Sequence, residues 1–254
     1  VLVNKAERVV IFFYDNGSRG RDVLTEFIGD AELKSIMSDG YNAYTFIGNE
    51  LKAAETPNLS KTDHQVCLAH ARAKFVKASE QAGDKNADIF IKYIEDLYNL
   101  ERQYAKDNLT DEERGKQRQS LETKGILINL RTHLCIEKSK DPATVTPYLQ
   151  KALNYLDTFW TNLFTYIKDG SYPIDNNAAE RAVRPLTTQR NSMLHFGSDE
   201  GAKMAATYHS IISTVKLQGR SAWDYLGKFF VNIFNGCRDF FSLRPDKIGL
   251  AICQ

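Results

Sequence analysis

The residues most suited to chemistry lie in the stretch YPIDNNAAERAVRP, residues 172–185. It contains two amides, one carboxylate and two guanidinium groups: Asn176, Asn177, Glu180, Arg181 and Arg184. An acid that holds a metal ion beside cationic groups is what an enzyme needs to grip and cut a phosphate backbone. The same spacing also fits an ordinary helix start, in which Asn177 and Glu180 form a capping box and Glu180 pairs with Arg184. From this stretch alone both interpretations stay open.

A second acid, Asp39, lies far upstream in the segment LKSIMSDGYNAY. The apolar residues Leu33, Ile36 and Met37 predict a buried strand that ends at the turn Asp39-Gly40. An acid at the end of a buried strand is well placed to face a cleft. The alternative is that Asp39 serves only the turn, because Asp-Gly is common in turns.

Four segments together resemble the transposases of the insertion sequence sixty-six family: SDGYNAY, CLAHARAKF, YPIDNNAAERAVRP and QRNSMLHFGSDEGAKMAA. They follow the family's order over residues 38–206. The resemblance implies an α/β fold whose RNase H-like core, a mixed sheet with flanking helices, is interrupted by an all-helical insertion and followed by C-terminal helices. It also implies an Asp, Asp, Glu (DDE) set that holds two divalent ions, with Asp39 as the second acid and Glu180 as the third.

The first acid of that set is where the sequence departs from the family. In the family it lies in an Asp-Glu-Thr block on the first core strand, upstream of a strand that residues 1–3 resemble. This sequence opens with Val1 and contains no Asp-Glu-Thr. We therefore interpret it as an incomplete chain that starts at the second core strand. Asp15 is a poor substitute, because the Asn16-Gly17 pair after it marks an ordinary turn. Without the first acid, we expect the chain to bind metal weakly and to catalyse little.

The chemistry that the resemblance implies is metal-dependent phosphoryl transfer, which cleaves and joins DNA strands at transposon ends. Asp39 and Glu180 would hold Mg²⁺ or Mn²⁺ in a two-metal site, incomplete here, that activates water or a DNA 3′-hydroxyl. The side chains expected to contact DNA or to position Glu180 are Asn176, Asn177, Arg181, Arg184, Arg190 and Lys203. The expected partner is double-stranded DNA, at the transposon ends and the target, bound by a homo-oligomer.

A third motif places His64, Cys67 and His70 at intervals of three residues. The spacing raises the possibility of zinc, but a structural zinc site takes four ligands and no His or Cys pair lies nearby to complete it. Cys67 and His70 instead resemble a Cys-x-x-His element found between the second and third acids of many transposases. We expect a structural role near the active site, with a small buried thiol and a hydrogen-bonded imidazole.

Composition sets looser limits on the function. The 254 residues are 43% hydrophobic and 26% charged, with a net charge of +1, which is typical of a globular protein. Positive charge gathers near the candidate acids, because residues 181–220 carry six basic and two acidic side chains whereas residues 84–122 carry seven and ten. This distribution suits phosphate binding, and a solvated helix face explains either cluster equally well.

Cysteine usage and hydropathy indicate a cytoplasmic protein that does not enter a membrane. The four cysteines follow no disulfide pattern, which suggests reduced thiols. The apolar runs fall short of the roughly 18 residues that suggest a membrane span. One of them, FFVNIFNGCRDFF, is interrupted by polar residues and is interpreted as a packed helix and its end.

The elements that must position these residues begin in α/β order. The predicted elements are strands at 1–3 and 8–14, a helix at 20–29, the strand ending at Asp39, a strand near 62–68 and a helix from about Ala69. Residues 85–168 then show helical spacing throughout. Pro185 is expected to end or kink the helix that carries Glu180, and two helices follow, at 199–217 and 221–235. The predicted organisation is a first part of the core at 1–80, a helical insertion at 81–170 and a second part of the core with C-terminal helices at 171–254.

Three hypotheses about the function remain open at this point. The first is the catalytic core of a DNA transposase, which requires Asp39 and Glu180 to converge. The second is a non-catalytic DNA-binding or regulatory remnant of a transposase, which keeps the basic surface without the metal set. The third is a helical interaction module on an α/β base, in which the two acids serve only as turn and helix cap.

Overall fold

A computed structural model describes residues 1–15, 17–18, 20–50, 56–193 and 196–249, except the side chains of Arg190 and Met193. The described chain is a mixed α/β structure, mostly helical, with short strands in two separate two-stranded sheets. It divides into a central unit, Ile28–Asn176, and a terminal unit, Val1–Phe27 with Asn177–Gln254. Among the described helices, none combines the length and the apolar character needed to cross a membrane.

The central unit begins with a parallel pair of strands, β3 (Ser35–Ser38) and β4 (Asp63–Val66). A 3-10 turn at Asn42–Tyr44 and the short helix α2 (Pro57–Ser60) lie between them in the chain. Helix α3 (Leu68–Ala82) follows β4 almost at once. The predictions of a strand before Asp39, a strand near 62–68 and a helix after it are therefore confirmed within the usual uncertainty of element ends.

The rest of the central unit is helical, as the spacing of residues 85–168 predicts. Its elements are α4 (Asn86–Lys106), α5 (Asp111–Arg118), α6 (Leu121–Ser139), α7 (Pro147–Thr158) and α8 (Trp160–Leu163), with 3-10 turns at Pro142–Thr144 and Thr165–Lys168. Pro147 starts α7, where its missing N–H costs nothing, and Thr146 caps the helix by accepting a hydrogen bond from the N–H of Leu149. A capping box between Thr110 and Glu113 starts α5.

One hydrophobic core holds the parallel strands and these helices together. Val66 of β4 belongs to the same buried cluster as Ile94 of α4 and Leu153 of α7. The rings of Phe75 and Phe90 stack at its centre with their centroids 4.6 Å apart. Full burial of one such side chain stabilises a fold by about 1.5–3 kcal/mol. Helices α4, α6, α7 and α8 are therefore packed into the same core as the sheet.

A buried ion pair ties α5 into this unit. The side chain of Arg118 is only 2% exposed, and its guanidinium donates hydrogen bonds of 2.8 and 2.7 Å to the carboxylate of Glu101. It also donates to the carbonyls of Tyr166 and Asp169 and lies over the ring of Tyr166. The buried guanidinium of Arg118 is therefore fully paired. Removal of the Glu101 carboxylate would leave that positive charge buried without a counter-ion, which would destabilise the unit.

The terminal unit contains the antiparallel hairpin of β1 (Leu2–Asn4) and β2 (Val9–Ile11). Its helices are α1 (Arg21–Ile28), which ends at the unit boundary, α9 (Asn177–Met193), α10 (Asp199–Leu217) and α11 (Ala222–Phe234). Of the two outcomes predicted for Pro185, an end or a kink of its helix, the end does not occur, because α9 continues through it. Pro185 is exposed, so water can bond to the carbonyl that its missing N–H leaves unbonded.

Strand β2 is shorter than predicted because β1 pairs with it only over Val9–Ile11, and its other edge bonds to a helix. Thr214 of α10 accepts a hydrogen bond from the N–H of Val10 and donates one to its carbonyl, both 3.0 Å long. Ser210 accepts a hydrogen bond of 2.8 Å from the N–H of Phe12, and its hydroxyl proton is shared between the carbonyls of Phe12 at 3.3 Å and Ala206 at 2.7 Å. Ser210 and Thr214 are four residues apart on the helix, which is a rise of about 6 Å. Val10 and Phe12 are two residues apart on the strand, which is about 6.7 Å, so the hydroxyl groups match the spacing of the strand's bonding groups. The hydroxyl groups of α10 thus satisfy the strand edge as a further strand would.

The apolar segment at the end of α11 packs on one face only. Tyr225 is buried against Val215 of α10, with Phe229 beside it. On the other face, 59% of Val231 and 83% of Phe234 are exposed. The prediction of a packed helix is therefore confirmed for the face that carries Tyr225, whereas the face that carries Val231 and Phe234 is exposed.

Candidate functional site

Asp39 follows directly on the last residue of β3, and hydrogen bonds define the turn that it begins. Its Oδ1 accepts a hydrogen bond of 3.0 Å from the N–H of Tyr41. The N–H of Gly40 donates to the hydroxyl of Ser38 at 3.2 Å, and Gly40 has a φ of +82°, which glycine adopts without strain. Asp39 therefore shapes the turn and also presents an exposed carboxylate at the end of a strand.

Tyr155 of α7 contacts the backbone of the same turn. Its hydroxyl donates a hydrogen bond of 2.8 Å to the carbonyl of Asp39. A Cβ atom on Gly40 would lie only 2.7 Å from that hydroxyl and 3.2 Å from the ring of Phe159. Burial raises the pKa of Tyr155, and the charges of Cys67 and Asp39 add to this effect. The phenol therefore stays protonated and remains a donor at neutral pH.

A buried polar pair lies directly behind the turn. Ser38 Oγ and His64 Nε2 are 2.9 Å apart and link β3 to β4. Burial lowers the pKa of His64 to about 4, so the imidazole is neutral at physiological pH. Asn162 donates a hydrogen bond of 3.1 Å to the carbonyl of His64. His64 is thus engaged within the sheet, and the described residues contain no group of three or more His, Cys, Asp or Glu side chains that could hold a metal ion.

Cys67 lies at the carboxyl end of β4 and is 0% exposed. Its N–H donates to the carbonyl of Ser38 at 2.9 Å, and its Sγ accepts a hydrogen bond of 3.4 Å from the N–H of Asn176. Burial raises the pKa of the thiol, which disfavours the reactive thiolate. His70 is half-buried on the first turn of α3, where its N–H bonds the carbonyl of Cys67.

The segment that precedes α9 returns to this end of the sheet. The carbonyl of Ile174 accepts a hydrogen bond of 3.3 Å from the N–H of Leu68. With the bond between Asn176 and Cys67, this brings together residues that are 109 positions apart. Functional groups of α/β proteins collect at the carboxyl ends of parallel strands. The central unit therefore places Asp39, Cys67 and Asn176 at one such edge.

Asp175 belongs to the same edge but was not among the predicted site residues. Burial raises the pKa of Tyr98, and the negative charge of Asp175 adds to the effect. The same carboxylate contributes to the raised pKa of Cys67. Its place in the Asp-Asn-Asn block is the sequence signal that could have identified it.

The remaining predicted residues lie on two helices of the terminal unit. Asn177 is the first residue of α9, and Glu180 lies in its first turn, where the helix dipole favours an acid. Arg181 and Arg184 follow, and all four side chains are exposed. Helix α9 therefore presents an acid and two guanidinium groups to solvent within two turns.

Two further predicted DNA contacts complete the set. Lys203 lies on α10, 3.6 Å from Glu200 in an exposed ion pair, and such pairs are weak enough to exchange for a phosphate. Arg190 lies further along α9, and its side chain falls outside the described part of the chain. Asp39 thus belongs to the central unit, whereas Glu180 and the basic residues belong to the terminal unit.

Comparison with known proteins places these motifs in one family. Residues 1–204 match the model described as Transposase IS66 family, a span that includes both candidate acids. No solved structure is significantly similar to the chain.

Two curated relatives come from Sinorhizobium fredii. The uncharacterized protein y4jD is 27% identical over 198 residues, which cover 78% of this chain and 37% of that protein. The uncharacterized protein y4qI is 28% identical over 254 residues, with 95% and 44% covered. The chain thus spans less than half the length of these relatives. By the match over residues 1–204, the chain belongs to the IS66 family of transposases.

Proposed function

We propose that the chain is part of the catalytic domain of a DNA transposase. Its reaction would be metal-dependent phosphoryl transfer that cleaves and joins strands at transposon ends, with double-stranded DNA as substrate. The observation that carries the proposal is Asp39, an exposed carboxylate at the carboxyl end of β3, within a family match that also includes Glu180.

The two candidate acids have the chemistry that a magnesium or manganese ion requires. Both are exposed carboxylates that offer hard oxygen ligands. The turn bond from Tyr41 to Oδ1 of Asp39 holds that carboxylate in one orientation. When bound, the ions would polarise the phosphate and supply an activated oxygen nucleophile. We propose that Asp39 and Glu180 share this task with a further acid of the family's set.

The basic and amide side chains of α9 and α10 would hold the DNA. Arg181 and Arg184 can each make paired hydrogen bonds to phosphate oxygens. Arg190 and Lys203 would extend the contact, and Asn176 and Asn177 would position Glu180 or the backbone. We also propose that the protein acts as a homo-oligomer on paired DNA ends, which light scattering of the DNA complex would test.

An RNase H-like core is part of the proposal. An antiparallel hairpin, a helix and then a parallel strand pair follow one another along the chain, and together they contain the strand directions of a mixed sheet. The acid at the end of β3 and the segment Ile174–Asn176 beside β4 support the same assignment, because such cores collect their acids at strand ends.

The test is strand cleavage by the full-length transposase carrying Asp39→Asn or Glu180→Gln. We expect both variants to lose magnesium-dependent cleavage of transposon-end DNA while salt-dependent DNA binding persists. Asp30→Asn, which changes an exposed loop acid before β3, is the matched control and should retain activity. Full cleavage by either site variant would refute the proposal. If the unmodified protein binds DNA but never cleaves it, a regulatory remnant is the better assignment.

A further inference from the structure

We propose that Tyr155 is a positioning residue for Asp39, so that helix α7 sets the orientation of the acid. The inference rests on the proposed role of Asp39 in holding a metal ion. Tyr155 does not touch the carboxylate. It acts through the backbone carbonyl of Asp39, to which its hydroxyl donates at 2.8 Å.

Two hydrogen bonds act on Asp39 from different sides. The bond from Tyr155 fixes the peptide plane that follows the residue, and the bond from the N–H of Tyr41 to Oδ1 fixes the side chain. On the strand side, Cys67 donates to the carbonyl of Ser38 at 2.9 Å. The acid is therefore held by its backbone on both sides and by one of its carboxylate oxygens.

Gly40 is what allows the phenol to come this close. Any larger residue would place its Cβ 2.7 Å from the Tyr155 hydroxyl, well inside contact distance. The φ of +82° is a second, independent reason for glycine at this position. The contact thus depends on both residues: Tyr155 supplies the hydroxyl, and Gly40 leaves the space for it.

Tyr155 is itself fixed by its surroundings. Its ring packs against Phe159 with the centroids 4.9 Å apart, and the ammonium group of Lys74 lies 4.6 Å from the ring centroid. Helix α7 also carries Leu153 and Leu156, which are 0% exposed. The hydroxyl is therefore presented by a helix that the hydrophobic core holds in place, rather than by a mobile side chain.

The loss of the Tyr155 hydroxyl should affect folding stability and reaction rate to different extents, which distinguishes a positioning role from a structural one. One hydrogen bond at a half-buried site contributes little to folding beside the core that holds α7. Loss of a residue that orients a metal ligand typically costs about 10- to 100-fold in metal affinity or activity. Removal of the hydroxyl alone should therefore change the reaction far more than it changes the fold.

The experiment is Tyr155→Phe in the full-length transposase, which removes the hydroxyl and keeps the ring. We expect cleavage at saturating DNA to fall about 10- to 100-fold, with the Kd for DNA and the melting temperature nearly unchanged. The Mg²⁺ concentration for half-maximal activity should rise. Because Mg²⁺ demands nearly ideal coordination geometry, Mn²⁺ should restore part of the rate. A loss of folded protein would not respond to the choice of metal ion.

The matched control is Tyr148→Phe, which removes a tyrosine hydroxyl from the same helix. The ring of Tyr148 lies under Lys77, and 38% of the residue is exposed, so its variant should behave as the unmodified protein does. If Tyr155→Phe folds poorly, the Mg²⁺ concentration for half-maximal activity still decides, because it does not depend on how much of the protein is folded, and a normal value overturns the inference.

The outcomes distinguish the inference from the function on which it rests. If Asp39→Asn is inactive while Tyr155→Phe keeps the normal rate and the normal Mg²⁺ requirement, Asp39 is needed but Tyr155 does not position it. If Asp39→Asn itself remains active, the proposed function fails, whatever Tyr155 does.

Discussion

The buried imidazole of His64 makes the stability of the central unit depend on pH. Burial lowers its pKa from 6.5 to about 4. Between these values the unfolded chain binds a proton that the folded chain does not, so stability rises with pH. The contribution is complete above pH 6.5 and is lost as the pH falls towards 4. A shift of this size corresponds to about 3 kcal/mol, at about 1.4 kcal/mol for each pH unit.

Urea unfolding between pH 4.5 and 8 measures this effect if the probe reports on the central unit alone. The chain has two tryptophans. Trp160 packs against Phe164 in the central unit, whereas Trp223 is 85% exposed in the terminal unit. In a Trp223→Phe background, fluorescence therefore follows Trp160, and the free energy of unfolding can be compared at each pH.

The control is His64→Gln in the same background, because glutamine can still bond to Ser38 but does not titrate. We expect its free energy of unfolding to lose most of the dependence between pH 6.5 and 4.5. Carboxylate titrations affect both proteins equally and cancel in the comparison. If both proteins show the same slope, the burial of a neutral His64 is not the cause.

Three further outcomes follow from the packing. Arg118→Met should destabilise the central unit by about 3–5 kcal/mol, because it leaves the Glu101 carboxylate, which is 14% exposed, and two backbone carbonyls without their donor, and thermal melting measures the loss. Thr214→Val should cost the terminal unit about 2–3 kcal/mol, because the N–H and carbonyl of Val10 lose their bonds, and urea unfolding followed by Trp fluorescence checks it. In the folded protein, Cys135 should react with a thiol reagent much faster than Cys67, which peptide mass spectrometry resolves; equal rates would contradict the burial of Cys67.

The sequence predicts local elements of this fold well because their signals are local. The apolar run before Asp39 gives a strand that ends where the acid begins, and the spacing of apolar residues in 85–168 gives helices throughout. The pattern overestimates the length of β2, because β1 pairs with it only over Val9–Ile11 and the partner of Phe12 is a serine side chain on a helix some two hundred residues away.

Some residues of the candidate site likewise carry a local sequence signal, and others do not. Asp39 could be predicted from its strand, and the place of Cys67 at the end of β4 follows from the strand near 62–68. Tyr155 carries no signal of its own in the sequence, because only the packing of α7 brings its hydroxyl to the turn. The convergence of Asp39 with Glu180, the three-part division of the chain and the metal ions stay predictions.

The hydrogen bonds from the Ser210 and Thr214 hydroxyl groups of α10 to Phe12 and Val10 also limit which insertions and deletions this part of the chain can accept. A deletion of one residue within α10 would turn every later hydroxyl by about 100° around the helix axis, away from the strand. A deletion in β2 would exchange its bonding and non-bonding edges. Neither element can change length alone, so related sequences should show gaps in the connecting loops and a constant spacing from Ser210 to Thr214.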